Sequence, residues 1–126
     1  MRRLLFVEDH PDTLIAVTLL LRMRGFEVST ATSVEEAHAK LTSEQFEIVV
    51  ADLTLHKNAS DHERSWRDIA QLVEHARPAR VGLLSGSPVS TSQALRHGLA
   101  FALRKPCDFE LLLAEIERSR IQQLPV

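Results

Sequence analysis

The most constraining feature of the sequence is a regular alternation of short apolar runs with longer segments of helical periodicity. Each apolar run has the length and composition of a strand, and each is followed by a helical pattern. Five strand–helix pairs in this order predict an α/β domain with a parallel sheet and helices on both faces. The predicted strands are residues 3–7, 26–31, 47–51, 80–84 and 100–104.

Local signals set the predicted helix ends. Pro11 suits a first helical position and Gly25 suits the stop after that helix. Ser33 followed by Glu36 predicts a capping box at the second helix. Asp108 is predicted to cap the last helix, whose apolar residues recur at helical spacing.

The segment 53–64 breaks this regularity because it is polar and shows no apolar period. We interpret it as a long connection, with the third helix beginning near Ser65 or Trp66.

Length and charge exclude several classes of protein. The 126 residues match one domain, predicted to span 1–126 with no output domain in the chain. A net charge of −2 gives no basic footprint for nucleic acid, and no apolar run approaches a membrane span. Cys107 is the only cysteine, which excludes an internal disulfide. We therefore expect a soluble, cytoplasmic protein that contacts neither nucleic acid nor membrane.

Reactive side chains follow four of the five predicted strands. Glu8 and Asp9 follow the first, Asp52 the third, Ser85 the fourth and Lys105 the fifth. Open parallel sheets bind ligands beyond the carboxyl ends of their strands, so these groups are predicted to meet in one crevice. Carboxylates so close together repel each other unless they hold a proton or a cation, and oxygen ligands favour Mg²⁺.

Such a set of groups is typical of phosphoryl transfer. An ammonium, a hydroxyl and a divalent cation neutralise the transferred group and position it. Asp52 follows the central strand and is the candidate nucleophile, which would form an aspartyl phosphate.

The sequence resembles a response-regulator receiver domain of two-component signalling over nearly its whole length. The resemblance implies a CheY-like, flavodoxin-like fold: a doubly wound five-stranded parallel sheet with strand order 2-1-3-4-5. The matching pieces are Phe6-Val-Glu8-Asp9-His10, Val50-Ala51-Asp52-Leu53, Leu84-Ser85-Gly86 and Lys105-Pro106.

The resemblance also implies roles for the site residues. Asp52 would accept phosphate, Ser85 would bind the phosphoryl group and shift on activation, and Lys105 would neutralise its charge. The bond between Lys105 and Pro106 would be cis. Such a domain is not an enzyme in the usual sense, since it catalyses only its own phosphorylation and dephosphorylation.

A Mg²⁺ ion is implied as the cofactor. Its ligands would be Asp9, Asp52 and the backbone carbonyl of Thr54, with Glu8 acting mostly through water.

The implied partners are a sensor histidine kinase, or a phosphotransfer protein, as donor and a downstream protein as target. Receivers also form homodimers through helix 4, strand 5 and helix 5. Arg96, Arg104, Glu115 and Arg118 are the polar candidates there.

The sequence departs from the family pattern in two places. The segment after Asp52 lacks the usual Pro-Gly turn. Three positions before Lys105, where the family carries an aromatic switch residue, stands Ala102. Phe101 is adjacent, but on a strand it points to the opposite face. These departures favour one alternative: a pseudo-receiver, an interaction or dimerisation module that acts with little or no phosphorylation.

Three further alternatives carry less weight. A hydrolase using Asp52 would need a substrate pocket, and a flavodoxin-like cofactor module would need a glycine-rich phosphate loop where Glu8 and Asp9 stand. A transition-metal site of His10, His56 and His62 matches no standard ligand spacing.

Overall fold

The chain forms one five-stranded sheet whose strands alternate with helices along the sequence. The structure, a computed structural model, describes residues 2–52 and 59–122, and for 59–64 and 120–122 it describes the backbone alone. The elements are β1 (Arg3–Glu8), α1 (Pro11–Met23), β2 (Glu27–Ala31), α2 (Val34–Ser43), β3 (Ile48–Asp52), α3 (Ala59–Ala76), β4 (Arg80–Ser85), α4 (Thr91–Arg96), β5 (Phe101–Arg104) and α5 (Phe109–Gln122).

The sheet has the order β2-β1-β3-β4-β5, and every neighbouring pair is parallel. This confirms the predicted fold class and strand order. The winding reverses between β1 and β3, the two strands that carry acidic residues at their carboxyl ends. A ligand crevice is expected at this switch point.

Each face of the sheet carries its own apolar core, because alternate side chains of a strand point to opposite faces. On one face Leu4 and Phe6 of β1 pack with α1 and α5. On the other face Leu5 and Val7 pack with α2, α3 and α4. Burial on both faces accounts for the near-continuous apolar composition of β3 and β4.

The helix ends agree with the local sequence signals, with one difference. Gly25 follows α1 with a φ of 90°, which favours glycine. Ser33 caps α2, its hydroxyl accepting the Glu36 N–H at 3.0 Å. The predicted capping box is wrong in detail, because the Glu36 carboxylate accepts from the N–H and the hydroxyl of Thr32 instead. Asp108 accepts the Glu110 N–H at 3.2 Å at the start of α5, as predicted.

The third helix begins earlier than predicted. It starts at Ala59, whereas the apolar pattern suggested a start near Ser65 or Trp66. Periodicity detects a helix only where apolar residues recur at helical spacing, and the sequence of residues 59–64 shows no such recurrence. Acidic residues such as Asp61 and Glu63 also suit the first turns of a helix.

The outer face of α1 is unusually apolar. Ile15, Leu19 and Met23 are 67%, 58% and 72% exposed, and their spacing of four residues makes them one ridge on the helix. No helix within residues 2–52 and 59–122 is long and apolar enough to cross a membrane. The exposed apolar side chains of the ridge form a surface suited to contact with another molecule.

Two helices on the other face are joined by an aromatic contact. The rings of Trp66 on α3 and His97, the residue that ends α4, stack with centroids 4.1 Å apart. This contact holds the short helix α4 against the longer α3.

We predict that Gly82→Ala lowers the free energy of unfolding by about 1–3 kcal/mol, because a Cβ at Gly82 would overlap the buried ring of Phe101. Chemical denaturation measures the change. Gly86→Ala is the control, since a Cβ there would meet nothing within 4 Å. Equal losses in the two variants would contradict the explanation, whereas adding Phe101→Leu to Gly82→Ala should recover part of the loss.

Candidate functional site

Two acidic residues stand side by side at the carboxyl edge of the sheet. Glu8 of β1 and Asp52 of β3 are partners in the parallel register, and they are only 3% and 5% exposed. Alternation from Phe6 and Val50 directs both carboxyl groups towards the face covered by α1 and α5. Each is the last residue of its strand, rather than the first residue after it as the sequence suggested for both.

Lys105 pairs with Asp52 across this edge. Its ammonium Nζ lies 2.5 Å from Asp52 Oδ1, and the Asp52 side chain is only 3% exposed. The backbone N–H of Lys105 donates to the carbonyl of Ser85 at 2.7 Å, which ties the lysine to the end of β4. The Lys105–Pro106 bond is cis, as the resemblance implied. The carboxylate of Asp52 and the ammonium of Lys105 therefore lie together, as the sequence predicted.

Glu8 occupies an unusual electrostatic position. Its Oε1 accepts the His10 N–H at 2.8 Å, whereas Oε2 is buried without a hydrogen-bond partner among the described residues. Burial, and then the neighbouring Asp52 carboxyl, raise the pKa of Glu8 to about 8. At neutral pH Glu8 therefore holds a proton, and the repulsion between the two carboxyl groups is relieved.

The remaining predicted metal ligands are placed differently. Asp9 is exposed in the bend after β1, and Thr54 lies outside the described residues. In the part of the chain that the structure describes, no three His, Cys, Asp or Glu side chains are grouped to hold a metal ion. Even so, the unsatisfied Oε2 of Glu8 beside Asp52 fits a hard divalent cation, which would take the place of the proton.

Ser85 and Ala102 lie on the other side of the site. Ser85 is 1% exposed, and its hydroxyl accepts the Ser87 N–H at 3.1 Å. Ala102 packs against the core under α2, α3 and α4, whereas Phe101 belongs to the core under α1 and α5. The prediction that Phe101 points away from the Ala102 face is confirmed.

An opening beside Asp52 is the feature that the sequence did not reveal. A cavity of about 460 Å³ reaches Asp52 and Lys105, lined by Val17 and Leu20 of α1 and by Leu112 of α5. Cys107 also lines it, and burial raises the pKa of its thiol. The signal that could have indicated the opening is the number of apolar residues in α1, which exceeds what one buried face of a helix needs.

The three histidines of the alternative metal hypothesis are not brought together by anything described. His10 is exposed, His56 lies outside the described residues, and only the backbone is described for His62.

Comparisons with known proteins agree with this geometry. The family model for the response regulator receiver domain matches residues 4–117, and the chain belongs to this family. No curated protein sequence matches it.

Solved structures with the same fold include three of special interest. A response regulator from Burkholderia pseudomallei, with a phosphorylated aspartic acid, calcium ion and citrate, is 26% identical at a TM-score of 0.74, covering 97% of this chain and 70% of that one. A CheY-like receiver domain protein from Methanospirillum hungatei is 21% identical at a TM-score of 0.81, covering 98% of this chain and 96% of that one. A Thermotoga maritima response regulator in complex with Mg(2+)-BeF is 21% identical at a TM-score of 0.75, covering 94% of this chain and 99% of that one.

We predict a pH-dependent effect of Glu8 on the stability of the metal-free protein. The carboxyl ionises near pH 4.5 in the unfolded chain but near 8 in the folded one, so the folded state binds the extra proton between these values. The free energy of unfolding therefore falls as pH rises through this window. In Glu8→Gln this slope should be lost, so the variant gains stability relative to the native chain as pH rises.

Chemical denaturation across the window, with a chelator present, measures both slopes. Glu27→Gln, at an exposed residue of β2, is the control and should keep the native slope. Parallel curves for the native chain and Glu8→Gln would contradict the prediction.

Proposed function

We propose that Asp52 accepts a phosphoryl group from a phosphohistidine in a Mg²⁺-dependent reaction. The observation that carries the proposal is a buried Asp52 carboxylate held between Glu8 and Lys105 at the switch point of the sheet. The cavity beside it gives the donor a way in. The chain would thus be the phosphoacceptor of a two-component system.

The chemistry is a displacement at phosphorus. A carboxylate oxygen of Asp52 forms the new P–O bond, the P–N bond of the donor breaks, and the imidazole leaves with its electron pair. Lys105, already paired with Asp52, neutralises charge on the transferred group. Glu8, Asp9, Asp52 and the Thr54 carbonyl would hold Mg²⁺, which supplies further positive charge at the phosphoryl oxygens.

Ser85 is proposed to receive the transferred group from the β4 side. Its buried hydroxyl accepts a hydrogen bond from the Ser87 N–H and keeps its own proton available for a phosphoryl oxygen. Shifting this hydroxyl would move the start of the β4–α4 connection. The chain would catalyse only its own phosphorylation and dephosphorylation, in the cytoplasm, as one domain.

We propose that a histidine kinase, or a phosphotransfer protein, docks on the outer face of α1. The exposed ridge of Ile15, Leu19 and Met23 lies on the helix that also lines the opening to Asp52. A protein donor must cover this opening to bring its histidine to the carboxylate, so its contact surface continues onto α1.

The surface formed by α4, β5 and α5 is proposed to bind the downstream protein or a second copy of the chain. Leu95 is 69% exposed there, and Arg96 and Arg104 are exposed nearby. Arg118 donates to Glu115 and to the Ala100 carbonyl, which holds α5 against β5. With Ala102 on β5 in place of a ring, Ser85 would act on this surface through the β4–α4 connection.

We expect the protein to gain the mass of one phosphoryl group when it is incubated with acetyl phosphate and Mg²⁺. The gain should be absent in Asp52→Asn and without Mg²⁺, because the carboxylate is the nucleophile and the cation neutralises the incoming group. Lys105→Met should slow labelling by roughly 100-fold, since it removes the ammonium group that neutralises charge on the transferred phosphoryl group. Intact-protein mass spectrometry measures all three.

The matched control is Lys40→Met, which removes an ammonium from α2, outside the site. It should label at the native rate. No labelling by either acetyl phosphate or a cognate kinase would contradict the proposal and favour the pseudo-receiver alternative. Labelling that survives Asp52→Asn would place the phosphoacceptor elsewhere.

We predict that Leu19→Glu slows phosphoryl transfer from a protein donor by about tenfold or more, because it puts a charge in the middle of the apolar ridge on α1. Labelling by acetyl phosphate should be unchanged, since a small donor needs no docking surface. Leu95→Glu is the control, because Leu95 on α4 is also more than half exposed. Equal transfer rates for the two variants would remove α1 as the docking face.

A further inference from the structure

Two histidines face each other between α2 and α3. The Nδ1 atoms of His38 and His75 are 2.6 Å apart, and the rings are 13° from parallel. One shared proton joins the two nitrogens in this contact, because two N–H groups or two lone pairs would repel each other.

Thr42 decides which histidine carries that proton. Its hydroxyl donates to the carbonyl of His38 at 3.0 Å, so its only hydrogen is already used. The contact of 3.3 Å between Thr42 Oγ1 and His75 Nε2 is therefore one in which the imidazole N–H donates. His75 is then protonated at Nε2 and presents the lone pair of Nδ1 to His38.

We propose that His38 and His75 form a site for a borderline transition-metal ion such as Zn²⁺, separate from the Mg²⁺ site at Asp52. Imidazole nitrogen suits zinc, copper and nickel, whereas Mg²⁺ prefers oxygen. Nδ1 of His75 is unprotonated and can bind a metal ion in place of the His38 proton, and Thr42 orients the ring as outer hydrogen bonds orient zinc-bound histidines. His38 binds through Nδ1 once its ring proton moves to Nε2, with no net change in charge.

The surroundings give room and favourable charge. Two Zn–N bonds of about 2.0–2.1 Å in tetrahedral geometry need the nitrogens roughly 3.3 Å apart. His75 is exposed and His38 half-buried, so side-chain rotation can supply the difference. Glu35 on α2 and Asp68 on α3 act on His38 as negative charges, which favours a cation.

A cavity of about 430 Å³ borders the pair, lined by Thr42 and His75 among others. Arg77 also lines it, but its guanidinium pairs with Glu74 at 3.1 Å. Burial and the neighbouring His75 lower the pKa of His38, which favours the neutral form of the ring that binds metal ions. The described residues contain no group of three metal-binding side chains. The two imidazoles would be the protein ligands, and water would fill the remaining positions.

The pair lies far from the phosphorylation site in the fold. His75 is in the last turn of α3, just before β4 begins. The start of β4 and Asp52 at the end of β3 lie at opposite ends of the parallel strands. A bound ion would join α2 to α3 without touching the carboxyl edge of the sheet.

Titration of the untagged protein with Zn²⁺, in buffer saturated with Mg²⁺, tests the site. Calorimetry should show one Zn²⁺ per chain, and the ring carbon signals of His38 and His75 should shift together in NMR spectra. His38→Gln and His75→Gln should each weaken the affinity at least about tenfold, and Thr42→Val about tenfold through the lost orientation of His75.

His97→Gln is the matched control, because His97 is stacked on Trp66 and not on another histidine. It should leave the affinity for Zn²⁺ unchanged, and circular dichroism checks that each variant is folded. Zn²⁺ binding that is equally strong in His38→Gln and His75→Gln would overturn the proposal. Ring signals of the two residues that stay unshifted at saturating Zn²⁺ would overturn it as well.

Discussion

The parallel pairing of β1 with β3 is the constraint on which the site depends. Register places Glu8 beside Asp52, and burial removes the water that would otherwise screen two carboxylates. The fold tolerates this because Glu8 keeps a proton and Lys105 places its charge on Asp52. The two carboxyl groups at the centre of the sheet are therefore suited to bind a cation.

Much of the fold was predictable because it depends on short-range patterns. Strand runs such as Ile48–Asp52 are buried on both faces, and caps such as Ser33 and Asp108 are read from neighbouring residues. The start of α3 was not predictable, since residues 59–64 contain no large apolar residue and no apolar period that would mark a helix. Glu36 was misassigned because Thr32 offers both an N–H and a hydroxyl to its carboxylate, which sequence spacing alone does not show.

The candidate site divides in the same way. That Asp52 and Lys105 meet followed from the topology, which brings strand ends to one edge. That a proton or a cation must sit among the carboxylates was expected from the sequence, but that Glu8 carries the proton was not, because this depends on its burial beside Asp52. The pair of His38 and His75 was also invisible, since 37 residues separate the two rings in sequence and only packing of α2 on α3 joins them.

The stack of Trp66 on His97 has a practical consequence. Trp66 is the only tryptophan in the chain, so all indole emission comes from the point where α3 meets the end of α4. An imidazole against the indole face changes the excited state of that ring. The chain therefore carries an intrinsic optical reporter of any movement of α4 relative to α3, and needs no added label.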